Sequence, residues 1–219
     1  GWTDAPNAIA TAVGSGALTF RRGVWLAAVC NFLGTFLSAA FFPAVAATMS
    51  DLIVFPGGAW AALTALCAAM LSILLWAVLA WRFGLPTSES HALMAGLCGA
   101  ALALGGQAAR FNSGAWARVI AGLFLSVVAG ALAGRWACLW LRKRRCSAAR
   151  WQRRAAGLMA ALHGAQDGQK FMALLLLADS LGDAEPFSPL TLAVLCASVM
   201  ALGTALGGKP IVEKVGTEL

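Results

Sequence analysis

Charged residues are scarce in this sequence. Asp, Glu, Lys and Arg make up 11% of the 219 residues, whereas soluble domains carry about 25%. Six apolar runs, some with their flanks, are long enough to cross a hydrocarbon core, which takes about 20 helical residues. They are Val24–Thr48, Gly57–Trp81, Ala92–Ala109, Val119–Gly134, Ala155–Ala178 and Pro189–Gly208. A soluble protein cannot bury six such helices, so the sequence predicts an all-α polytopic membrane protein with about seven membrane segments, counting its opening segment.

Closely spaced cysteine pairs and a signal-peptide pattern do not occur in the printed sequence. No Cys-x-x-Cys pair occurs, so neither a zinc site nor a disulfide framework is indicated. The sequence shows no secretory signal peptide and does not begin with Met. It opens at Gly1 on a polar segment, and we expect it to be a fragment of a longer chain.

The net charge of +7 is concentrated in one place. Seven of the sixteen Lys and Arg residues lie within residues 142–154. In a membrane protein such a cluster marks a cytoplasmic loop, and the basic connections at Arg21–Arg22, Arg82 and Lys209 then fall on the same side. A nucleic-acid partner would need a soluble domain that the sequence lacks. The charge pattern therefore predicts a multi-pass protein of the bacterial inner membrane, with loop 142–154 in the cytoplasm.

Two polar segments, GWTDAPNA at the start and HGAQDGQK at 163–170, resemble each other. Asp4 aligns with Asp167, and Asn7 aligns with Lys170. Under the predicted topology the first copy runs inward and the second runs outward, so the copies are inverted. Inverted repeats with helices interrupted by Gly or Pro are typical of secondary transporters. We therefore predict a secondary-transporter fold with broken helices at both copies.

The repeat also predicts the domain organisation. Residues 1–141 form the first inverted repeat, residues 142–154 the basic loop, and residues 155–219 the start of the second repeat. We expect the N-terminal part of the first repeat and the C-terminal part of the second to be absent from this chain.

Asp4 and Asp167 are the candidate cation-coupling residues. A carboxylate within a membrane is costly unless it is paired, and such residues mark ion or substrate pathways. Asn7, Thr11 and Gln166 add neutral oxygens of the kind that hard cations prefer. A Na⁺ ion at Asp4 and Asn7 is the one metal that these residues suggest. The alternative is that both aspartates form structural ion pairs.

A third cluster, GLPTSESH at residues 84–91, predicts an anion site. Thr87 or Ser88 can cap the helix that follows, and its first amides carry partial positive charge. The hydroxyls of Thr87, Ser88 and Ser90 can donate to an anion, and His91 can hydrogen-bond a phosphate oxygen. The alternative is an ordinary capped helix end.

Together these clusters resemble the inorganic phosphate transporter (PiT) family, whose hallmark is a repeated G-A-N-D-x-x-N-A segment and a G-x-P-x-S-x-[ST]-H box. The matching positions are Gly1, Asp4, Asn7, Ala8 and Thr11, then Gly84, Pro86, Ser88, Ser90 and His91, then His163, Gly164, Ala165, Asp167, Gly168, Gln169 and Lys170. The resemblance implies symport of phosphate with Na⁺ or H⁺, and no other cofactor. Thr3 and Gln166 depart from the family by replacing Asn, and Glu89 stands where Thr is common.

Three other functions stay open. A permease for sulfate would use the same motifs, although Glu89 favours an anion that carries a proton, as phosphate does. A membrane scaffold or channel would not need repeated carboxylates inside the membrane. A hydrolase built from Ser88, His91 and Asp4 lacks an orienting partner for its base, so no enzyme is predicted. Membrane lipid is expected to surround the protein whichever of these functions it has, and the sequence is compatible with a homodimer.

Lys170 distinguishes the two copies of the repeat. An ammonium inside the membrane needs a partner, and Asp167 lies one helical turn earlier, at i, i+3 spacing. We hypothesise that Asp4 and Asn7 serve a mobile cation, whereas Asp167 and Lys170 form a fixed pair that faces the anion. The alternative is that Lys170 only neutralises Asp167.

Overall fold

The computed structural model describes residues 5–41, 53–54, 58–83, 85, 87–105, 110–143, 147–182, 185, 187–206, 209 and 212. Seven helices and two short strands lie within these ranges. The helices are α1 (Ala5–Gly14), α2 (Phe20–Phe41), α3 (Ala59–Phe83), α4 (Glu89–Gly105), α5 (Ser113–Lys143), α6 (Ala148–Leu181) and α7 (Pro189–Leu206). The strands, β1 (Ile53–Val54) and β2 (Arg110–Phe111), pair antiparallel.

The helices confirm the predicted all-α membrane class. Among the described residues, four helices are long and apolar enough to cross a membrane, namely α2, α3, α5 and α7. Their outer faces expose large apolar side chains, such as Phe124 and Leu125 on α5. Lipid tails suit such a surface, whereas water does not. Helix α1 has ten residues and is therefore about 15 Å long, half the thickness of a hydrocarbon core.

Helix α6 is the centre of the bundle and packs against α1, α2, α3 and α7. Its closest neighbour is α2, which runs parallel to it: Gly157 lies beside Leu26, and Gly168 lies beside Thr35. A methyl group on Gly168 would lie 2.6 Å from the Thr35 hydroxyl oxygen. Glycine at this position therefore lets the two helices approach closely.

Helix α1 packs on α6 in the opposite direction. Its buried Ile9 and Ala12 join Ala156 and Ala160 of α6 in one apolar cluster. Beyond its end, the Ser15 hydroxyl bonds Gln152 near the start of α6, with 2.5 Å between the oxygens. The antiparallel direction is the one an inverted repeat requires, although the repeat itself stays a prediction.

The connections between helices gather at two ends of the bundle. The β1–β2 pair joins the segment after α2 to the segment after α4. At the opposite end, the turn from α1 to α2 contains Gly16, whose φ of 72° favours glycine. The first turn of α2 carries Arg21 and Arg22, and the start of α6 carries the arginines of the basic segment. The predicted grouping of all the basic connections on one side of the membrane stays a prediction.

Two predictions about helix boundaries are wrong. Helix α6 continues without interruption through Gly164 and Gly168, because in a membrane helix these glycines allow close packing and the backbone ladder stays intact. The predicted loop at 142–154 is largely helical: α5 extends to Lys143 and α6 begins at Ala148. Arg, Lys, Gln and Ala are good helix formers, so both helices extend into the basic segment. For the first copy, Asp4 lies outside the described residues.

Candidate functional site

Three ionisable side chains line up along α6. The Lys170 ammonium lies 2.8 Å from one carboxylate oxygen of Asp167, and His163 Nδ1 lies 3.3 Å from the other. Their i, i+3 and i, i+4 spacings place all three on one face of the unbroken helix. The Asp167 side chain is 7% exposed and that of Lys170 is 13% exposed. The predicted ion pair between Asp167 and Lys170 is therefore present, and it is nearly buried.

The start of α4 meets this ionic cluster. Lys170 Nζ donates a hydrogen bond to the Ser90 hydroxyl in the first turn of α4. One residue before the helix, Ser88 accepts the backbone N–H of His91 at 3.5 Å and lies 2.7 Å from His91 Nδ1. Ser88 therefore caps the helix, as one of the two predicted caps, while Ser90 makes the link to α6. Gly84 and Pro86 lie outside the described residues.

A cavity of about 820 Å³ opens beside the start of α4. Its polar lining comes from Thr87, Ser88 and His91 of the box and from Ser72 of α3. Small side chains of α4 line the remainder, with Trp76 of α3. The Thr87 hydroxyl is buried and has no partner among the described residues. The box residues therefore border a space that can admit a small anion.

A row of polar residues lies on α2, within the run Val24–Thr48 that the sequence predicts only as an apolar span. Asn31 and Thr35 are fully buried, and Ser38 nearly so. The Thr35 hydroxyl donates to the Gly164 carbonyl at 2.8 Å, and the Ser38 hydroxyl reaches the Ala165 carbonyl at 3.2 Å. Their i, i+4, i+7 spacing was the available signal, since it places them on one face of a helix.

Asn31 also connects α2 to α7. Its side-chain nitrogen donates to the Thr204 hydroxyl at 2.9 Å, and that hydroxyl donates in turn to the Met200 carbonyl. The side-chain carbonyl oxygen of Asn31 has no partner among the described residues. A buried amide oxygen without a donor is available to a cation or to water.

The predicted cation ligands are dispersed. Asn7 is half-buried on α1, whereas Thr11 on α1 and Gln166 on α6 are exposed. The buried glutamine of the second copy is Gln169, and its side-chain oxygen has no donor among the described residues. In the described ranges no group of three His, Cys, Asp or Glu residues could hold a metal ion.

The arrangement combines fixed charges with neutral donors inside an apolar bundle. A carboxylate and an ammonium on α6, hydroxyls on α4 and a helix N-terminus can bind a small anion and hold a proton or cation beside it. These features define a helical integral membrane protein with a polar site within its bundle.

Comparison with known proteins identifies the family. The sequence profile described as "Phosphate transporter family" matches residues 1–155 and 142–219. The chain belongs to this family, whose members are transporters rather than enzymes. No solved structure matches the chain.

Bacterial relatives match the chain along its length. A protein of Mycobacterium bovis named "probable low-affinity inorganic phosphate transporter" is 33% identical over 233 residues, covering 100% of this chain and 54% of its own. Proteins with the same name from Bacillus subtilis and Rhizobium meliloti are each 32% identical and cover all of this chain, which spans 68% and 67% of them. The chain thus spans about half of the mycobacterial relative's length and two thirds of the other two.

Proposed function

We propose that the chain forms the anion-binding part of a permease that carries inorganic phosphate together with a cation, Na⁺ or H⁺, by alternating access. The supporting observation is the bond from Lys170 on α6 to Ser90 on α4, two residues that lie 80 positions apart. It joins the second copy of the repeated segment to the Ser-His box. One site then holds an ammonium, hydroxyls and a helix N-terminus, all of which bind phosphate oxygens.

The site has hydrogen-bond donors that are available to an anion. An ammonium has three N–H groups; in Lys170 one points to Asp167 and another to Ser90. Because Ser90 accepts from Lys170, its own hydrogen is free to donate. Within the described part of the chain neither the third N–H of Lys170 nor this hydroxyl hydrogen has an acceptor. Both can therefore donate to the same phosphate.

Preference for phosphate over sulfate follows from the proton that phosphate carries near neutral pH. A carboxylate beside the anion accepts a hydrogen bond from that protonated oxygen but repels the fully deprotonated sulfate. Asp167 lies next to Lys170, and Glu89 is the first residue of α4. Both place carboxylates near the proposed site, and we infer that they disfavour sulfate.

The coupling cation is proposed to interact with the first copy, through Asp4 and Asn7. Asn7 is half-buried on α1, which packs against α6. Buried carbonyl oxygens at Asn31 and Gln169, which lack donors among the described residues, are further candidates because Na⁺ prefers neutral and anionic oxygens. A proton would instead be carried by a carboxylate.

The experiment is uptake of labelled phosphate by phosphate-permease-deficient cells that express the full-length protein, in parallel with labelled sulfate. We expect phosphate uptake that depends on Na⁺ or on a proton gradient. The variant Ser88→Ala/Ser90→Ala should raise the half-saturating phosphate concentration about thirtyfold, since two donors of about 1 kcal/mol each are lost. Ser126→Ala is the matched control, because its exposed hydroxyl bonds only its own helix, at the Leu123 carbonyl.

The alternative functions give different results in this assay. A sulfate permease would take up sulfate in preference to phosphate. A scaffold would give no uptake above that of cells without the protein, and a channel would give uptake that does not depend on a cation gradient. An unchanged half-saturating concentration in the double Ser variant would mean that the box is an ordinary capped helix end.

A further inference from the structure

A second cavity lies at the basic end of the bundle, between the starts of α2 and α6. It has a volume of about 520 Å³. Three arginines, Arg22, Arg153 and Arg154, stand around it, and apolar groups form the remainder of its lining, including Leu26, Gly157 and Leu158. It therefore combines strong positive charge with a hydrocarbon floor.

The three arginines have no acidic partner among the described residues. Arg153 donates from Nε to the Ala149 carbonyl at 3.2 Å within its own helix. The guanidinium of Arg154 stacks on the Trp151 ring, 5.4 Å from its centroid. Both contacts orient the guanidinium groups but leave N–H groups available, and a guanidinium fork matches two phosphate oxygens.

Helix direction adds to the positive potential at this cavity. Helix α2 begins at Phe20 and the parallel α6 begins at Ala148, so both N-termini point to the same end. Cations in the first turns of a helix oppose the helix dipole, whereas an anion is stabilised there. Every fixed charge in this region of the described structure is positive. A bound anion would therefore relieve the repulsion between the arginines.

Nearby tryptophans indicate the depth of the cavity in the membrane. Trp136 and Trp140 stack with 6.5 Å between centroids, and Trp140 meets Trp151 edge-on at 5.8 Å. Tryptophan is enriched at the boundary between headgroups and hydrocarbon. The cavity is therefore at the level where a lipid has its phosphate on one side and its acyl chains on the other.

We propose that this second cavity, a groove between α2 and α6, is a binding site for an anionic phospholipid. The lipid phosphate binds Arg22, Arg153 and Arg154, and an acyl chain lies along Leu26 and Leu158. A free phosphate ion would satisfy the arginines but would leave the apolar floor uncovered. The groove is separate from the proposed transport site, because Arg154 and Lys170 are sixteen residues apart on α6, or about 24 Å along the helix.

The test is lipid binding to the purified protein in phosphatidylcholine nanodiscs, measured by titration with fluorescent phosphatidylglycerol. The variant Arg22→Gln/Arg153→Gln/Arg154→Gln should weaken binding about 100-fold, because each arginine near an anionic headgroup contributes about a fivefold step. The matched control, Arg82→Gln/Arg118→Gln/Arg135→Gln, removes the same charge elsewhere and should stay within about twofold of the unmodified protein.

A second variant keeps the three arginines and fills the apolar part of the cavity. A methyl group on Gly157 would lie 3.5 Å from Cys30 Sγ and 3.6 Å from Leu26 Cδ1, which are ordinary contacts. The β-carbon of Gly157→Leu therefore fits, and its larger side chain should weaken phosphatidylglycerol binding about tenfold, because it occupies the acyl-chain position.

Three results would overturn the proposal. Equal binding of phosphatidylglycerol and phosphatidylcholine would remove the role of the headgroup charge. Equal losses of phosphatidylglycerol affinity in the arginine variant and in its charge-matched control would mean that only the net charge of the protein matters. Competition by inorganic phosphate at millimolar concentration, with Gly157→Leu unaffected, would assign the groove to a free anion rather than a lipid.

Discussion

Adding one methyl group at Gly164 tests the close approach of α2 and α6, on which the position of the ionic cluster depends. In Gly164→Ala the new carbon would lie 2.8 Å from the Asn31 Cα, whereas carbon atoms in contact prefer about 3.5–4.0 Å. The obstacle is backbone, which cannot rotate away as a side chain could. The two helices must therefore separate by about 1 Å, and the 2.8 Å bond from Thr35 to the Gly164 carbonyl lengthens.

The magnitude follows from three contributions. Overpacking costs about 1–3 kcal/mol, the weakened hydrogen bond costs about 1 kcal/mol, and replacing helical Gly by Ala returns about 1 kcal/mol. The expected loss is about 2 kcal/mol, or a fall of about 4–8 °C in the melting temperature for a chain of this size.

The assay is thermal unfolding of the purified protein in detergent, with Gly130→Ala as the matched control. No heavy atom lies within 4 Å of the position where a methyl group on Gly130 of α5 would be. Gly130→Ala should therefore leave the melting temperature unchanged or raise it slightly. If Gly164→Ala is as stable as Gly130→Ala, α2 and α6 do not pack as described.

Two further substitutions test the buried polar contacts. Asp167→Asn leaves the Lys170 ammonium nearly buried without its carboxylate and should lower the free energy of unfolding by about 3–5 kcal/mol. Adding Lys170→Gln should restore much of that loss. Strictly additive effects in the double-mutant cycle would mean that the pair is not formed. Thr204→Val removes the acceptor of the fully buried Asn31 amide and should lower the free energy of unfolding by about 1–3 kcal/mol. The control Thr64→Val, at an exposed hydroxyl bonded only within α3, should have little effect. Equal effects of the two variants would argue against the α2–α7 contact.

Local patterns predicted the helices and the ion pair. The absence of charge over about 20 residues predicts a membrane helix because the bilayer leaves few alternatives, and α3 and α7 begin within two residues of the predicted runs. The i, i+3 spacing of Asp167 and Lys170 predicted their contact because one helical turn brings these positions together.

Contacts between distant segments could not be predicted in the same way. Nothing local indicates that Lys170 reaches Ser90, since that depends on how far α4 lies along α6. The low helix propensity of glycine predicts helix breaks at Gly164 and Gly168, but packing against α2 decides their role. Asn31 and Thr35 were passed over because a few polar side chains do not alter the hydropathy of a long apolar run.

Phosphate binding by Lys170 variants tests the proposed site most directly. Equilibrium binding of labelled phosphate to the purified protein should weaken at least tenfold in Lys170→Gln, since a charge-assisted hydrogen bond contributes about 1.5–3 kcal/mol. The folded double variant Asp167→Asn/Lys170→Gln should bind as weakly, and Arg118→Gln, which removes an exposed charge from α5, should bind normally. Undiminished phosphate affinity in both Lys170 variants would contradict the assignment of this site to the anion.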